Sequence, residues 1–346
     1  MKPAKNSHII IDGSAGEGGG QVLRSSLTLS MLTGKPFTVQ NIRGQRKKPG
    51  LLRQHLTCVH AAQRIAAAQV TGDEMGSSEL SFEPAIVSGG HYEFSVGTAG
   101  STMLILQTIL LPLCNAKQAS EVVLNGGTHN PFAPTYDFIQ HAFLPLLNRM
   151  GAKVSAKLEK PGFFPAGGGR VRISIEPTKK LKPIELDERG ALKSERAVAM
   201  INNLPSDIGD RELKVARDRL NLRRDQLIKL DDLQADGPGN VFQLFEVYEH
   251  ISEAFVGFGE VGKPAEHIAR RTCDQAERYR SSDAPVGDYL ADQLLIPFAL
   301  AGGGSFRCTA LTQHFLTNVE TVERFLPIRI NTEREARLAW RVNFYQ

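Results

Sequence analysis

One recurring pattern constrains the fold more than any other feature of the chain. A glycine-rich turn opens an apolar stretch of helical length, and a short strand-like segment follows. In the first copy, Gly16 precedes a helical stretch at 21–32 and a strand-like segment at 37–42, and three further copies begin at Gly97, Gly126 and Gly287. Strands that alternate with helices of this length are typical of α/β proteins. We therefore expect an α/β (α+β) fold.

Two of the helical stretches are similar to each other. Residues 106–112 (LQTILLP) align with residues 291–297 (ADQLLIP), and an apolar segment follows each of them. Internal similarity of this kind favours duplicated β–α units. The other interpretation is the ordinary alternation of helices and strands that any α/β protein shows.

The residue composition of the chain changes between Thr178 and Arg280. Charge density rises, as in residues 207–214 (DIGDRELK), and the glycine-rich turns disappear. Patterns at 240–249 and 253–257 predict strands, and 265–280 predicts a helix. We expect a smaller domain at 181–280, inserted into a larger catalytic domain formed by 1–180 and 281–346.

Composition excludes several classes of protein. The 346 residues carry a net charge of +4, which is too weak to indicate nucleic-acid binding by itself. The four cysteines form no C-x-x-C pair, so neither a zinc site nor a redox dithiol is indicated. The longest apolar run, at 103–113, is shorter than the roughly 20 residues that cross a bilayer. We expect a soluble cytoplasmic protein without membrane association.

The segment Asp12 to Arg24 (DGSAGEGGGQVLR) lies between a predicted strand and a predicted helix. Its glycines allow backbone N–H groups to face an anion at the helix N-terminus. A carboxylate there would repel phosphate unless a divalent cation joined them, which makes Glu17 a candidate Mg²⁺ or Mn²⁺ ligand. A flexible turn with a solvated Glu17 is the alternative.

A second segment, Arg43 to His55 (RGQRKKPGLLRQH), concentrates positive charge. Five cations fall within eleven positions beside a Pro-Gly pair. The planar guanidinium of arginine binds phosphate through two parallel hydrogen bonds, and lysine acts as a point charge. The segment therefore favours recognition of a terminal phosphate over the alternative of a solvated basic loop.

Three polar positions elsewhere are candidates for a nucleotide site. Gln107 lies in an apolar stretch, where it must bond either to the backbone or to a ligand. Tyr289 and Asp292 share one face of a predicted helix, and could stack on a base and accept from a ribose. His314 follows a predicted strand, and a neutral imidazole can attack a phosphoryl group, although spacing alone does not reveal this role.

Taken together, these segments resemble the RNA 3′-terminal phosphate cyclase family in its catalytic branch. The similar stretches run in order from Asp12 to Pro327: DGSAGEGGGQVLRSSLTLS, IRGQRKKPGLLRQHLT, GTAGSTMLILQTILLPL, GGTHNPFAPTYDFI, FFPAGGGRV, VGDYLADQLLIPFALAGGG and HFLTNVETVERFLP. The resemblance implies a large domain of three repeated βαβαββ-type units. It also implies a smaller inserted α/β domain of thioredoxin-like topology.

The resemblance also implies a reaction and its site. A histidine takes AMP from ATP with release of pyrophosphate, passes it to an RNA 3′-phosphate, and the vicinal 2′-hydroxyl then closes a 2′,3′-cyclic phosphodiester. His314 corresponds to the nucleophile and Glu17 to the acidic residue near the metal. The residues implied to hold the RNA or ATP phosphates are Arg24, Arg43, Arg46 and Gln54. Those implied to bind ATP are Gln107, Pro134, Phe138, Asp288, Tyr289, Leu290, Ala291 and Asp292.

One position departs from the family pattern. His129 stands in Gly-Gly-Thr-His-Asn, where an Asp is expected in many relatives, and we assign it no role.

The implied cofactors are ATP and Mg²⁺ or Mn²⁺, the implied partner is RNA with a 3′-terminal phosphate, and a homodimer is a reasonable assembly. The alternatives are a non-catalytic cyclase-like protein of rRNA processing, which would lack His314, and an enolpyruvyl-type transferase, which would not need it.

Overall fold

A computed structural model describes residues 8–16, 18–97 and 100–346 of the chain. These ranges form four sheets of four strands, and helices pack on each sheet. The predicted α/β class is therefore confirmed. Within the described ranges, no helix combines the length and the apolar character that crossing a membrane would require.

The first sheet has the order β1-β2-β4-β3. Its strands are β1 (Ile9–Asp12), β2 (Phe37–Gln40), β3 (Gln69–Thr71) and β4 (Leu80–Glu83). β1 and β2 are parallel, whereas β4 is antiparallel to both of its neighbours. The connecting helices are α1 (Gln21–Thr33) and α2 (Arg53–Ala66). A parallel neighbour requires such a crossover, and α1 supplies it between β1 and β2.

The second sheet has the order β5-β6-β8-β7, with the same senses of pairing. Its strands are β5 (His91–Ser95), β6 (Ser120–Gly126), β7 (Lys153–Lys160) and β8 (Gly169–Glu176). Between β5 and β6 lies α3 (Thr102–Cys114). After β6 come α4 (Tyr136–Phe138), a π-helical segment (Ile139–Phe143) and α5 (Leu144–Arg149).

The pattern at 134–150 predicts one helical stretch, and the structure differs there in two ways. Helix α4 begins only at Tyr136, because the Thr135 hydroxyl accepts a hydrogen bond from the Phe138 N–H at 3.1 Å and caps the helix. The π-helical segment precedes Pro145, which has no N–H to donate to the preceding turn.

After β9 (Glu185–Leu186) the chain enters a sheet of order β11-β10-β12-β13. Its strands are β10 (Leu192–Asn202), β11 (Leu227–Leu230), β12 (Gly239–Tyr248) and β13 (Ser252–Phe258). The helices α6 (Asp207–Leu220) and α7 (Ala265–Arg280) pack on it, and a 3-10 turn spans Arg224–Gln226. The two strands and the helix predicted in this region are confirmed to within two residues.

The last sheet has the order β15-β16-β14-β9. It combines β9 with β14 (Gly304–Cys308), β15 (Arg329–Ala336) and β16 (Ala339–Tyr345), and its helices are α8 (Asp288–Ala301) and α9 (Gln313–Phe325). β9 lies inside the range predicted for the insertion, yet Glu185 and Leu186 pair with Ser305 and Phe306 of β14. By strand pairing, β9 belongs to this last sheet, and the strands of the sheet β11-β10-β12-β13 begin only after it. A two-residue strand carries no sequence pattern that would reveal this.

The helices α1, α2, α3, α8 and α9 pack on one another and contain most of the candidate site residues. α1 packs against α2, α3 and α9, and α8 packs against α9. α3 and α8 are apolar on nearly every face, as buried helices are, and each contains a proline near its C-terminal end. The core they share includes the fully buried rings of Phe298, Phe306, Phe315 and Phe325. This packing brings the N-terminal turns of α1 and α9 together.

Candidate active site

A chain of hydrogen bonds joins three helices at this point. The Oε1 atom of Gln21, at the start of α1, lies 2.7 Å from Nδ1 of His314 at the start of α9. The Gln21 Nε2 group donates to Oδ1 of Asp292 on α8 at 2.6 Å. An amide whose nitrogen donates to a carboxylate presents its oxygen on the other side. Gln21 therefore accepts from the His314 Nδ1–H group, and the lone pair of the neutral ring lies on Nε2.

The surroundings of His314 favour its neutral form. The residue as a whole is exposed to solvent, but its ring is partly buried. This burial lowers the pKa of the imidazole, and the nearby cations Arg24 and Arg46 lower it further. The Asp292 carboxylate opposes this shift. A neutral imidazole with a fixed tautomer can act as a nucleophile at neutral pH, because the attacking nitrogen is not protonated.

Asp292 is half-buried among polar partners. Burial raises the pKa of its carboxyl group, while the hydrogen bonds from Gln21 and Asn318 and the interactions with His314 and Arg24 oppose that rise. Asn318 is itself oriented by Ser25, whose hydroxyl donates to Asn318 Oδ1 at 2.6 Å. The Asp292 carboxylate therefore joins α8 to α1 and α9.

Arg24 lies one turn further along α1. The residue is half-buried, and desolvation of its guanidinium lowers its pKa, while Asp292 opposes the shift. His55, on the first turn of α2, accepts from the Leu52 N–H at 3.1 Å through Nδ1. Burial, together with Arg24 and Arg43, lowers the pKa of His55 to about 3. Both side chains pack against Gly20. A Cβ added at Gly20 would lie 2.9 Å from Arg24 Nη1 and would collide with the His55 ring.

Arg43 and Arg46 lie in the loop between β2 and α2. The Arg43 Nη1 group donates to the carbonyl oxygens of Lys48 and Gly50 at 2.5 and 3.0 Å, so this side chain closes its own loop. The Arg43 backbone is left-handed, at φ 54°. Arg46 is exposed and close enough to His314 to lower its pKa. The two arginines therefore differ: one shapes the loop and the other adds charge beside His314.

The two predicted glutamines hold neighbouring segments together. Gln54 donates to the Ser101 carbonyl oxygen at 3.1 Å, which joins α2 to the residue that precedes α3. Gln107 donates to Oε1 of Gln293, which joins α3 to α8. Both amides are partly exposed. Each thus has a protein partner and also a solvent-facing part that could meet a ligand.

The predicted segment 288–292 forms the first turn of α8. Asp288 accepts from the Thr309 hydroxyl and lies 3.5 Å from Arg278. Tyr289 is 71% exposed, whereas Leu290 and Ala291 are fully buried. The exposed ring of Tyr289 and the half-buried carboxylate of Asp292 therefore differ in what they can contact. Tyr289 faces solvent, and Asp292 faces Gln21.

Pro134 and Phe138 lie around the start of α4. Phe138 is buried and Pro134 is partly exposed. His129, nine residues before Phe138, is buried, with its Nε2 atom 2.6 Å from Oδ2 of Asp137 and Nδ1 2.8 Å from the Thr128 hydroxyl. The His129–Asp137 pair fixes the loop that contains Pro134.

Glu17 lies outside the described residues. In the part of the chain that the structure describes, no three side chains of His, Cys, Asp or Glu come together as a metal-binding group. Mg²⁺ is commonly held by one or two carboxylates together with substrate phosphates and water, and such a site needs no cluster of three protein ligands. The metal predicted from the sequence therefore stays a prediction.

The structure adds Gln21 to the residues predicted from sequence. No local signal distinguishes it, because it is one polar residue at the start of an amphipathic helix. Its partners are 293 and 271 positions away along the chain. Only the packing of α1 between α8 and α9 reveals its contacts.

Comparisons with known proteins agree on one family. A family model described as RNA 3′-terminal phosphate cyclase matches residues 15–332. A protein of that name from Pseudomonas fluorescens is 50% identical over 94% of this chain and 94% of its own length. Proteins of the same name from Koribacter versatilis and Salmonella agona are 47% and 46% identical, over 96% and 95% of this chain and 93% and 95% of theirs. A solved EPSP synthase from Acinetobacter baumannii aligns at a TM-score of only 0.27 and 12% identity, over 98% of this chain and 63% of that one.

Proposed function

The chain belongs to the RNA 3′-terminal phosphate cyclase family, and we propose that it converts an RNA 3′-terminal phosphate to a 2′,3′-cyclic phosphodiester at the expense of ATP. The observation that carries this proposal is the contact between His314 Nδ1 and Gln21 Oε1. It assigns the proton of the neutral ring to Nδ1 and the lone pair to Nε2.

In the first step, Nε2 of His314 attacks the α-phosphorus of ATP. A P–N bond forms, the bond from the α-phosphorus to the bridging oxygen breaks, and pyrophosphate leaves. The developing positive charge on the ring is supported by the Gln21 oxygen and by the Asp292 carboxylate behind it. Histidine is suited to this step because its phosphoramidate is reactive enough to pass the group onward.

In the second step, the RNA 3′-phosphate takes AMP from His314 and becomes a mixed anhydride. In the third step, the vicinal 2′-hydroxyl attacks the phosphorus of the RNA 3′-phosphate, and AMP leaves. A phosphate dianion is a poor electrophile, and adenylylation supplies the leaving group it lacks. The attack of the tethered 2′-hydroxyl is intramolecular, so its effective concentration is high.

The basic residues are proposed to recognise the terminal phosphate. Arg46 is exposed beside His314, and the Arg24 guanidinium lies behind it next to Asp292. Arg43 acts in this proposal by holding the loop that presents Arg46, since its Nη1 group bonds to Lys48 and Gly50. Gln54 borders the same region through Ser101.

The adenine nucleotide is proposed to occupy the face formed by Tyr289, Gln107 and the Pro134–Phe138 loop. The exposed ring of Tyr289 offers a stacking surface at the first turn of α8. Mg²⁺ or Mn²⁺ would enter with the nucleotide phosphates and neutralise charge on them. A homodimer and a cytoplasmic location stay predictions of the sequence.

The three-unit organisation implied by the family also belongs to this proposal. In its support, the first, second and last sheets share one strand order and the same senses of pairing. In the remaining sheet, β11-β10-β12-β13, strands β10 and β11 are parallel, and β12 is antiparallel to both of its neighbours. That arrangement supports an inserted domain of thioredoxin-like topology.

The first experiment follows label from α-labelled ATP onto the protein. Purified protein is incubated with ATP and divalent metal without RNA, then denatured, and His314→Ala is treated in parallel. We expect acid-labile label on the wild type and none on the variant. A folded wild type that binds ATP and takes up no label would contradict the proposed reaction.

A second experiment tests recognition of the RNA end. Affinity is compared for one RNA that ends in a 3′-phosphate and the same RNA with a 3′-hydroxyl. We expect much tighter binding of the phosphate, little dependence on base identity, and loss of the difference in Arg46→Ala. Equal affinity for the two ends would contradict this assignment.

A further inference from the structure

The connection between α7 and α8 links the inserted sheet to the active site. It runs from Ser281 to Gly287, and α8 begins at the next residue. The Arg189 Nη2 group donates to the carbonyl oxygens of Tyr279, Ser282 and Ala284, at 3.1, 2.6 and 2.6 Å. The Tyr279 hydroxyl donates to the Pro285 carbonyl oxygen at 2.6 Å. This segment is therefore fixed along its length.

One acidic side chain of the inserted sheet reaches the end of this connection. Glu253, on β13, is 3% exposed, and its Oε1 accepts from the Gly287 N–H at 2.6 Å. A Cβ at Gly287 would lie 2.9 Å from Glu253 Oε1 and 3.2 Å from Oε2, so the carboxyl group packs directly on this residue. Glu253 thus fills the space at the N-cap of α8, where helix N–H groups lack partners within the helix.

The position of that N-cap matters for the site. The turn that follows contains Asp288 and Tyr289, and Asp292 lies one turn along the same helix. On its other side the turn is held by the Thr309 hydroxyl, which donates to Asp288. Asp292 in turn holds Gln21, which contacts His314. A shift of the N-terminal turn of α8 would therefore displace the Tyr289 ring. It would also displace Asp292, which holds the Gln21 amide against His314.

We propose that Glu253 is a positioning residue for nucleotide binding: through the Gly287 N–H it sets the first turn of α8, so that the inserted sheet acts on the ATP site. This rests on the proposed function, because it assumes that the first turn of α8 faces ATP. Glu253 touches no substrate itself.

The test compares dissociation constants for ATP, measured by calorimetry, in wild type, Glu253→Ala, Glu253→Gln and Gly287→Ala. We expect Glu253→Ala and Gly287→Ala to weaken ATP binding about tenfold, since each disturbs the same buried hydrogen bond. Glu253→Gln keeps an amide oxygen as acceptor and should stay within about threefold of wild type. The affinity for RNA with a 3′-phosphate should change little in all three.

Glu212 provides a matched control. It is equally buried in the same inserted part, and its carboxyl group accepts from Asn240 at 3.0 Å, away from α8. We expect Glu212→Ala to lower the unfolding midpoint without a selective loss of ATP affinity. Equal losses of ATP and RNA affinity in Glu253→Ala, or the same ATP loss in Glu212→Ala, would overturn the proposal.

The two proposals fail in different ways. If the wild type binds ATP but takes no label, the proposed reaction fails and the binding comparison still decides the role of Glu253. If Glu253→Ala and Gly287→Ala bind ATP as tightly as wild type, the role of Glu253 is wrong while the reaction stands. A wild type that binds no ATP would overturn both.

Discussion

The Nδ1 atom of His314 lies 2.7 Å from Oε1 of Gln21, although the two residues are 293 positions apart in the chain. The contact exists because α1 and α9 pack with their first turns side by side. It gives the histidine one tautomer, and the Asp292 carboxylate fixes the amide that imposes it. We therefore propose that Gln21 is a positioning residue for His314, the proposed nucleophile.

Replacement of Gln21 should slow the first chemical step. We expect Gln21→Leu to reduce the rate of AMP labelling about ten- to a hundredfold, as the loss of a hydrogen bond to a charged group would. ATP affinity should change far less, and rapid-quench labelling at saturating ATP measures the rate. Gln69→Leu, at an exposed position of β3, is the control. A labelling rate unchanged in Gln21→Leu would refute the positioning role.

The pH dependence of labelling should reflect the lowered pKa of His314. Its ordinary value is 6.5, and burial lowers it, so the neutral ring persists to more acidic pH. The rate at saturating ATP should therefore hold at neutral pH and decline only below pH 6.5. Removing the Arg46 charge by Arg46→Ala should move this midpoint upward, and Asp292→Asn should move it downward. A wild-type midpoint above 6.5 would contradict the electrostatic account.

A methyl group at position 20 should disturb the site more than the fold. We expect Gly20→Ala to displace His55 and Arg24, the two side chains that close over this glycine, and to weaken binding of 3′-phosphate RNA about tenfold or more. The free energy of unfolding should fall by about 1–3 kcal/mol. In the control Gly303→Ala, the nearest atom to the new Cβ is 3.9 Å away. Binding by Gly20→Ala that matches the control would show that these side chains relax without consequence.

Buried Glu212 should make stability depend on pH. Desolvation raises its pKa from 4.5 to about 7, and its Oε1 has no hydrogen-bond partner among the described residues. The unfolded chain then loses this proton at lower pH than the folded chain. The free energy of unfolding should decline as pH rises from about 4.5 to 7, on the order of 2–3 kcal/mol from this group.

Glu253 should add to the same trend, because burial raises its pKa to about 8. Urea unfolding of wild type and Glu212→Gln at pH 5 and pH 8 separates the contributions. The variant should lose less stability between these pH values than the wild type. Equal losses of stability between pH 5 and pH 8 in the two proteins would show that Glu212 does not cause the pH dependence.

Local patterns in the sequence already predicted much of this protein. The helix α7 is predicted at 265–280 from local pattern, and the structure has the same bounds. Membership of the family and assignment to its class of enzyme, both predicted from ordered motifs, are confirmed by the relatives. These features depend on residues near one another in the chain.

Other features were decided only by tertiary structure. The sequence does not distinguish Arg43, which closes its loop, from Arg46, which faces solvent beside His314. It also does not identify Gln21, whose partners are 293 and 271 positions away, or Glu253, which accepts from the residue that precedes α8. Hydrogen bonds and desolvation act over a few ångströms of space, and the order of residues does not state which distant side chains come that close. The sequence determined which elements form, and their packing decided which side chains meet.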